Sequence, residues 1–220
     1  MKPIRIDLID YGMGNLQSVR NALERLGCEV RVSGDPTALS DADALILPGV
    51  GAFGEAMNNL QQRKLVEPLR RVVLDEGKPL LGICLGMQLL ADVSEERGVC
   101  RGLSLIPGQV RGIPVSAGLR LPHIGWNGVS VRKREPLFLD INEGGAFYFV
   151  HSYRFECDPA YIAGVTDYGT EITAAIQKDR IFGVQFHPER SQRKGLHLLR
   201  NFVDFVESTV ETGVKREGAC

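Results

Sequence analysis

The first hundred residues alternate short apolar runs with segments whose apolar residues recur at helical spacing. Val19 and Leu23 lie on one such helical stripe, and Gly27 after them is a typical helix stop. Strands that alternate with helices build βαβ units around a parallel sheet. We therefore expect an α/β chain with a mixed, mostly parallel sheet and helices on both faces. The runs predicted as strands are residues 4–9, 29–32, 44–47 and 80–83.

Three later segments also have the apolar spacing of helices. Residues 55–74 predict a helix interrupted near Pro68, because proline lacks the N–H that a helix interior needs. Residues 85–93 and 196–206 predict two more helices. Beyond Gly98, punctuation by Gly and Pro predicts an antiparallel or mixed part of the sheet. Its strands are expected at residues 109–113, 129–132, 146–150, 162–166, 172–176 and 181–186.

No linker interrupts these patterns, so we expect one domain over residues 1–210 and a frayed polar tail at 211–220. The 26 Lys and Arg against 27 Asp and Glu give no positive field to attract nucleic acid or an anionic membrane. The five cysteines are scattered without a CxxC pair, which argues against a disulfide framework or a zinc site. We expect a cytoplasmic protein without metal or cofactor.

The sequence Gly82-Ile83-Cys84-Leu85-Gly86 stands between an apolar strand and a predicted helix. This is the setting of a nucleophile elbow, in which flanking glycines leave room where the backbone reverses. The helix start would favour a thiolate at Cys84, and the N–H of Leu85 would point at a developing oxyanion. The alternative is a buried, unreactive cysteine.

The sequence His187-Pro188-Glu189 directly follows the strand predicted at residues 181–186. A thiolate nucleophile needs a base, and a carboxylate two residues away can orient an imidazole and stabilise its protonated form. A simple surface turn is the alternative for these three residues. Together with Cys84, they predict a Cys-His-Glu triad at the strand ends, where α/β sheets gather their ligands.

The loop from Gly49 to Gly54 has the spacing GxGxxG and follows a strand, so a dinucleotide site has to be considered. That fingerprint normally follows the first strand and needs an acidic residue at the end of the next one, whereas Asp75 and Glu76 precede a strand. The competing interpretation is a loop that presents a second N–H to an oxyanion opposite Cys84. His123 and His151 are expected in loops.

Several sequence blocks occur together between residues 10 and 190. They are Asp10-Tyr11-Gly12-Met13-Gly14-Asn15, Leu47-Pro48-Gly49-Val50-Gly51-Ala52-Phe53-Gly54, Gly82-Ile83-Cys84-Leu85-Gly86-Met87-Gln88, Pro122-His123-Ile124-Gly125-Trp126-Asn127, Tyr148-Phe149-Val150-His151-Ser152-Tyr153 and Phe182-Gly183-Val184-Gln185-Phe186-His187-Pro188-Glu189. The second, third and last resemble class I glutamine amidotransferases. The other three more particularly resemble the glutamine amidotransferase subunit of imidazole glycerol phosphate synthase.

The resemblance implies a flavodoxin-like, class I amidotransferase fold that hydrolyses glutamine to glutamate and ammonia. It implies that Cys84 forms a glutamyl thioester, that His187 carries the proton and that Glu189 orients His187. It also implies oxyanion donors at Val50 and Leu85. The residues implied in the glutamine pocket are Gly49, Gly51, Gln88, Tyr148, His151 and Ser152.

The resemblance further implies a partner, a separate (β/α)₈ cyclase subunit that receives the ammonia in histidine biosynthesis. In this heterodimer the chain would be the glutamine-hydrolysing subunit of a complex that acts as a lyase. Without its partner it would be nearly inactive. Asn15, Trp126 and Arg190 would lie at the interface. Arg190 stands where the family usually has lysine. Because its guanidinium group is planar and donates paired hydrogen bonds, we expect a matching carboxylate on the partner. This departure leaves open a paralogue that serves another ammonia acceptor.

Two other function classes remain as alternatives. A stand-alone cysteine hydrolase on the same fold would leave Gln88 and the block from His123 to Asn127 without a role. A catalytically dead binding subunit is disfavoured because Cys84 and its predicted partners are intact. Trapping of a thioester by a glutamine-derived electrophile would separate the second alternative from an active enzyme.

Overall fold

The computed structural model describes residues 3–114 and 119–217, with side chains as far as residue 211. The first part of the chain alternates β1 (Arg5–Ile9), α1 (Leu16–Arg25), β2 (Glu29–Ser33), β3 (Ala44–Gly49), α2 (Phe53–Gln62), α3 (Val66–Leu74), β4 (Leu80–Cys84) and α4 (Leu85–Gln88). The second part contains β5 (Val93–Ser94), β6 (Cys100–Arg101), β7 (Gly108–Gly112), β8 (His123–Val131), β9 (Gly145–His151), β10 (Tyr153–Cys157), β11 (Ile162–Asp167), β12 (Glu171–Lys178), β13 (Ile181–Val184) and α5 (Gln192–Glu217).

The larger sheet has the strand order β2-β1-β3-β4-β13-β12-β11-β8-β9. Its first five strands are parallel neighbours, and the remaining strands continue it in antiparallel pairs. The mixed α/β fold expected from the sequence is therefore confirmed, and the chain beyond Gly98 supplies the antiparallel part. A smaller sheet has the order β10-β7-β5-β6.

Helices cover both faces of the parallel strands, because successive side chains of a strand point to opposite faces. On β3, Ile46 belongs to the core cluster that includes Val19 of α1 and Phe202 of α5. Its neighbour Leu47 belongs to the opposite cluster, with Leu60 of α2. Strands buried on both faces explain the nearly continuous apolar runs in the first half of the sequence.

The helix predicted over residues 55–74 is two helices, and the break lies before Pro68 rather than at it. Lys64, between α2 and α3, has a φ of +57°, which ends α2 in a left-handed conformation. Pro68 lies in the first turn of α3, where an N–H has no partner within the helix. The interruption was predicted correctly, but its position was wrong.

The helix predicted over residues 85–93 is only the single turn α4. Leu89 and Leu90 are fully buried, as the spacing indicated. Their carbonyls, however, accept hydrogen bonds from the N–H groups of Leu103 and Leu105 instead of from a further helical turn. Val93 then enters β5 of the smaller sheet. Apolar spacing correctly indicated burial here and wrongly indicated a helix.

His123 and His151 lie on strands and not in the loops expected for them. β8 begins at His123, earlier than predicted, and pairs antiparallel with β9 so that His123 and His151 are register partners. Gly125 and Gly128 within β8 conceal the strand, because glycine has a weak strand preference. This pairing brings both imidazoles to one place.

The last helix, α5, buries Leu199, Phe202, Val203 and Val206, as its spacing predicted. It continues to Glu217, so the predicted polar tail is helical up to that residue. Residues 218–220, with Cys220, lie outside the described residues.

Candidate active site

Three neighbouring parallel strands end at the same edge of the larger sheet. In the pairing of β3 with β4, Gly49 is the register partner of Cys84. In the pairing of β4 with β13, Ile83 is the partner of Val184. The glycine loop, the elbow and the segment that carries His187 therefore leave the sheet side by side. The topology brings together three motifs that are distant in sequence.

Cys84 occupies the strained turn between β4 and α4. Its φ of +55° lies in a region that residues other than glycine rarely adopt. The flanking glycines permit this turn: a Cβ on Gly86 would collide with the backbone oxygen of Leu47, and one on Gly82 would lie 2.7 Å from the oxygen of Gly86. Because α4 is a single turn, its dipole offers less to a thiolate than the predicted longer helix would.

His187 and Glu189 form a buried pair. The N–H of His187 donates to the carbonyl of Tyr148 at 2.9 Å, and Oγ of Ser191 donates to the carbonyl of His187 at 2.6 Å. With the backbone held in this way, Nδ1 of His187 lies 2.9 Å from Oε1 of Glu189. The two side chains are 5% and 0% exposed, so the pair is shielded from water.

The neighbours of His187 control its protonation. Burial by itself lowers the pKa of His187, but the charge interaction with Cys84 and the hydrogen bond and charge interaction with Glu189 outweigh burial and raise the pKa to about 10. His187 is therefore an imidazolium at neutral pH, with Nδ1 donating to Glu189. Nε2 is buried and has no hydrogen bond of good geometry to a described residue, so its link to Cys84 is electrostatic here. The proton on Nε2 of the imidazolium is therefore available for transfer.

Two buried glutamines form a series of side-chain contacts that begins at Cys84. Nε2 of Gln185 lies 3.7 Å from Sγ of Cys84, and its Oε1 accepts from Nε2 of Gln88 at 2.9 Å. Nε2 of Gln88 also donates to the carbonyl of Tyr153 at 3.2 Å. Gln185 stands in a motif already singled out, but no role was predicted for it, because sequence spacing does not show that its amide reaches the sulfur.

Cys84 and His187 open into a cavity of about 390 Å³. Most of the predicted oxyanion and pocket residues line it, namely Val50, Gly51, Leu85, Gln88, His151 and Ser152. Gly49, Tyr148 and Glu189 are not in the lining. Gly49 instead packs beneath the elbow, where a Cβ would lie 2.9 Å from the N of Gly86.

Glu96 also lines this cavity, and sequence reasoning missed it. Its Oε2 accepts a hydrogen bond from the N–H of Phe53, at the start of α2, at 2.8 Å. Glu96 therefore connects the cavity to the helix that follows the glycine loop. No motif marks this residue, because it reaches the cavity from the connection between β5 and β6.

Tyr148 lies beside the cavity, in a surface cluster with Trp126 and Arg190. The guanidinium of Arg190 is 5.3 Å from the centre of the Tyr148 ring, a cation–π contact. The ring of Trp126 is 6.1 Å from the same ring, edge to face, and Trp126 is 50% exposed. Two residues predicted for the partner interface thus meet around a residue predicted for the glutamine pocket.

Residues 10–15 pack against the start of the glycine loop. Tyr11 is fully buried and donates from Oη to the carbonyl of Pro48 at 2.9 Å. A Cβ on Gly14 would lie 3.3 Å from Cγ of Pro48, so the turn before α1 packs closely on the start of the loop. Asn15, the third predicted interface residue, follows this turn as the N-cap of α1.

The glutamine amidotransferase class-I family matches residues 7–205. The imidazole glycerol phosphate synthase subunit HisH of Moorella thermoacetica is 50% identical over 214 residues, which cover 97% of this chain and 100% of that protein. HisH of Geobacter sulfurreducens is 48% identical, over 90% of this chain and 97% of its own. The chain belongs to the class-I glutamine amidotransferase family, among the HisH subunits.

Solved structures agree with this amidotransferase fold. The PurLQS structure from Thermotoga maritima has a TM-score of 0.72 at 20% identity, over 94% of this chain and 100% of the other. A glutamine amidotransferase from the same organism has a TM-score of 0.67 at 16% identity, over 94% and 99%.

Other features of this HisH-type chain do not compete with the cavity as the site of chemistry. A more open groove of about 680 Å³ between α1 and α5 touches Glu189 but neither Cys84 nor His187. Among the described residues, no group of three or more His, Cys, Asp or Glu side chains could hold a metal ion. The helices in the described part of the chain are all too short or too polar to cross a bilayer.

Proposed function

We propose that Cys84, His187 and Glu189 hydrolyse the side-chain amide of glutamine and that the ammonia passes to a separate cyclase subunit. One observation carries this proposal: the strained Cys84 lines a single cavity together with His187, whose imidazole is paired with the buried Glu189. The membership of the chain in the class-I amidotransferases supports glutamine as the substrate. The names of its HisH relatives support imidazole glycerol phosphate synthase as the complex.

In the first step, the Cys84 thiolate attacks the amide carbon of glutamine and the carbonyl oxygen becomes an oxyanion. The backbone N–H groups of Val50 and Leu85, two residues that both line the cavity, are the proposed donors to this oxygen. His187 then gives its Nε2 proton to the nitrogen, the carbon–nitrogen bond breaks and ammonia leaves. The product on the enzyme is a thioester between Cys84 and the glutamyl group.

In the second step, His187 removes a proton from water, which attacks the thioester. The carbon–sulfur bond breaks, glutamate leaves and Cys84 is again a thiolate beside a protonated His187. Glu189 acts by holding His187 in one orientation, since its Oε1 accepts from Nδ1 throughout the cycle. No cofactor is needed, because both half-reactions only exchange protons and nucleophiles.

Recognition of the amino-acid end of glutamine is assigned to Glu96 and the neighbouring polar walls. Glu96 brings a carboxylate to the cavity, where it complements the α-ammonium group of glutamine. Gly51, Gln88, His151 and Ser152 surround the remaining space. The proposed pocket therefore keeps the predicted residues, except that Gly49 and Tyr148 act from outside the lining.

The cluster of Trp126, Tyr148 and Arg190 is the proposed contact with the cyclase. It offers an exposed aromatic ring and an exposed guanidinium next to the cavity that releases ammonia. Asn15 is assigned to the same interface because α1 packs against the turn that carries Arg190. An aromatic and arginine cluster is a common centre of protein interfaces.

The test is glutamine hydrolysis with and without the histidine-pathway cyclase and its bound nucleotide substrate. We expect little hydrolysis by the chain alone and strong stimulation in the complex. The variant Arg190→Glu should weaken association, whereas Arg132→Glu, an exposed arginine paired with Glu171 on another part of the surface, should not. Equal rates with and without the cyclase, together with no stable complex, would instead favour a paralogue that serves a different acceptor.

A further inference from the structure

His151, in the cavity wall, forms a hydrogen-bonded pair with the buried His123, and the two catalytic steps above use neither ring. His123 and His151 are register partners on β8 and β9, and Nδ1 of His123 lies 3.0 Å from Nε2 of His151. They are 3% and 6% exposed, and His151 lines the cavity together with Cys84 and His187. A buried polar pair at this place has a defined proton arrangement, which its neighbours reveal.

The hydrogen-bond partners assign each proton of the pair. The carbonyl of Tyr153 can only accept, so Nδ1 of His151, 2.8 Å away, carries a proton. Nδ2 of Asn127 donates to the carbonyl of Asp167 at 2.7 Å and lies 3.3 Å from Nε2 of His123. Nε2 of His123 is therefore an acceptor, and its Nδ1 donates to Nε2 of His151. Both rings are neutral.

Burial agrees with this assignment. It lowers the pKa of His123, and it lowers the pKa of His151 to about 4. A neutral His151 is compatible with the neighbouring His187, whose imidazolium would be opposed by a second positive charge. The ring of His123 is also stacked between Phe149, at 4.9 Å, and Tyr168, at 4.1 Å.

The pair is linked to the nucleophile through one carbonyl. The oxygen of Tyr153 accepts from both His151 and Nε2 of Gln88. Gln88 in turn donates to Gln185, whose amide lies 3.7 Å from Sγ of Cys84. A continuous series of donors and acceptors thus runs from β8 to the sulfur.

We propose that His123 is a positioning residue for glutamine hydrolysis: its Nδ1–H fixes the tautomer of His151 and so holds the Tyr153 carbonyl toward Gln88. This inference rests on the function proposed above. The Tyr153 carbonyl and the donor on His123 favour the same tautomer of His151, so without that donor the preference is smaller and the form with its proton on Nε2 becomes populated. A bare Nδ1 then faces the Tyr153 carbonyl, and repulsion between the two acceptors displaces the partner of Gln88.

Two variants separate the hydrogen bond from the packing of the ring. His123→Phe keeps a ring between Phe149 and Tyr168 but has no donor. His123→Asn loses the ring, while its Nδ2 can take the place of Nδ1 and donate to His151. A role in stacking alone predicts that the Phe variant is active and the Asn variant impaired. The positioning role predicts the opposite order.

Both variants are compared with the wild-type chain in complex with the cyclase, with thermal unfolding as a check of folding. We expect His123→Phe to lower kcat about tenfold with KM within about twofold, the size of one lost hydrogen bond. His123→Asn should keep kcat within about threefold of wild type. ¹⁵N NMR of the imidazoles should show a protonated Nδ1 on His151 in the wild type and in His123→Asn, and a mixed tautomer in His123→Phe.

Full activity of His123→Phe, or a His151 tautomer that does not change in that variant, would overturn the positioning role. So would an Asn variant as impaired as the Phe variant. A wild-type complex without glutaminase activity would contradict the proposed function instead. The tautomer of His151 would still decide the positioning role in that case, because NMR does not depend on turnover.

Discussion

Nδ1 of His187 lies 2.9 Å from Oε1 of Glu189, while Oε2 of the same carboxylate is buried without a hydrogen bond to any described residue. The carboxylate is thus directed at the imidazole and at no other described donor. Glu189→Gln should lower kcat for glutamine hydrolysis by about 10²-fold to 10⁴-fold with little change in KM, because an amide orients the imidazolium poorly. Glutamate release by the complex measures this.

Glu171→Gln is the matched control for Glu189→Gln. Glu171 is exposed and paired with Arg132, away from the cavity, so its variant should retain wild-type kcat. A Glu189 variant with kcat within a few-fold of that control would show that the pair does not orient the base.

The pH dependence of stability provides a second prediction. Because the pKa of His187 is raised from 6.5 to about 10 in the folded chain, its protonated form stabilises the fold below about pH 6.5. This contribution is lost as the pH rises through about 10. Urea unfolding between about pH 6 and about pH 10 should show a larger loss of stability in the wild type than in Glu189→Gln. Parallel curves would contradict the pKa assignment.

Two glycine substitutions test the tight turn around Cys84. Gly86→Ala should destabilise the chain by about 3 kcal/mol, because its Cβ would collide with the backbone oxygen of Leu47, which cannot move independently. Gly54→Ala is the control: in the described part of the chain, no atom outside the adjoining residues and the helix's own backbone lies within 4 Å of the added Cβ, and Gly54 is inside α2. This variant should be as stable as the wild type or slightly more stable. Equal unfolding midpoints for the two variants would show that the elbow tolerates a side chain.

Part of the loss of folding stability at low pH should come from protonation of His151. The pKa of His151 is lowered from 6.5 to about 4 in the folded chain, so the unfolded chain binds a proton first as the pH falls. Stability contributed by the neutral ring is present above about pH 6.5 and is lost as the pH falls through about 4. His151→Asn, which retains a donor toward Tyr153, should lose less stability over this range. Thermal unfolding of both proteins, measured as a function of pH, tests this prediction. An equal loss of stability in acid for the wild type and His151→Asn would contradict it.

Much of this site could be predicted from the sequence because its chemistry is local. Gly82, Cys84 and Gly86 form one turn, and His187 and Glu189 are two residues apart, so each motif carries its own geometry. The alternation of strands and helices then implied that the motifs share one edge of a parallel sheet. The pairing of Gly49 with Cys84 has this form.

The remaining features depend on contacts between distant parts of the chain. Glu96 reaches the cavity by a connection in the smaller sheet, and Gln185 reaches Sγ of Cys84 only because β13 lies beside β4. The pairing of His123 with His151 required a strand that its glycines concealed. The prediction of a longer helix after Cys84 was wrong for the same reason, a contact with a distant segment. Hydrogen bonds from Leu103 and Leu105 take the place of its second turn.

Mass spectrometry of the complex, acid-quenched during turnover of glutamine, tests directly whether Cys84 is the nucleophile. We expect a glutamyl adduct on the peptide that contains Cys84, and no adduct when Cys84 is changed to Ser. Glutamine hydrolysis without an adduct at Cys84, or hydrolysis that persists in Cys84→Ser, would contradict it.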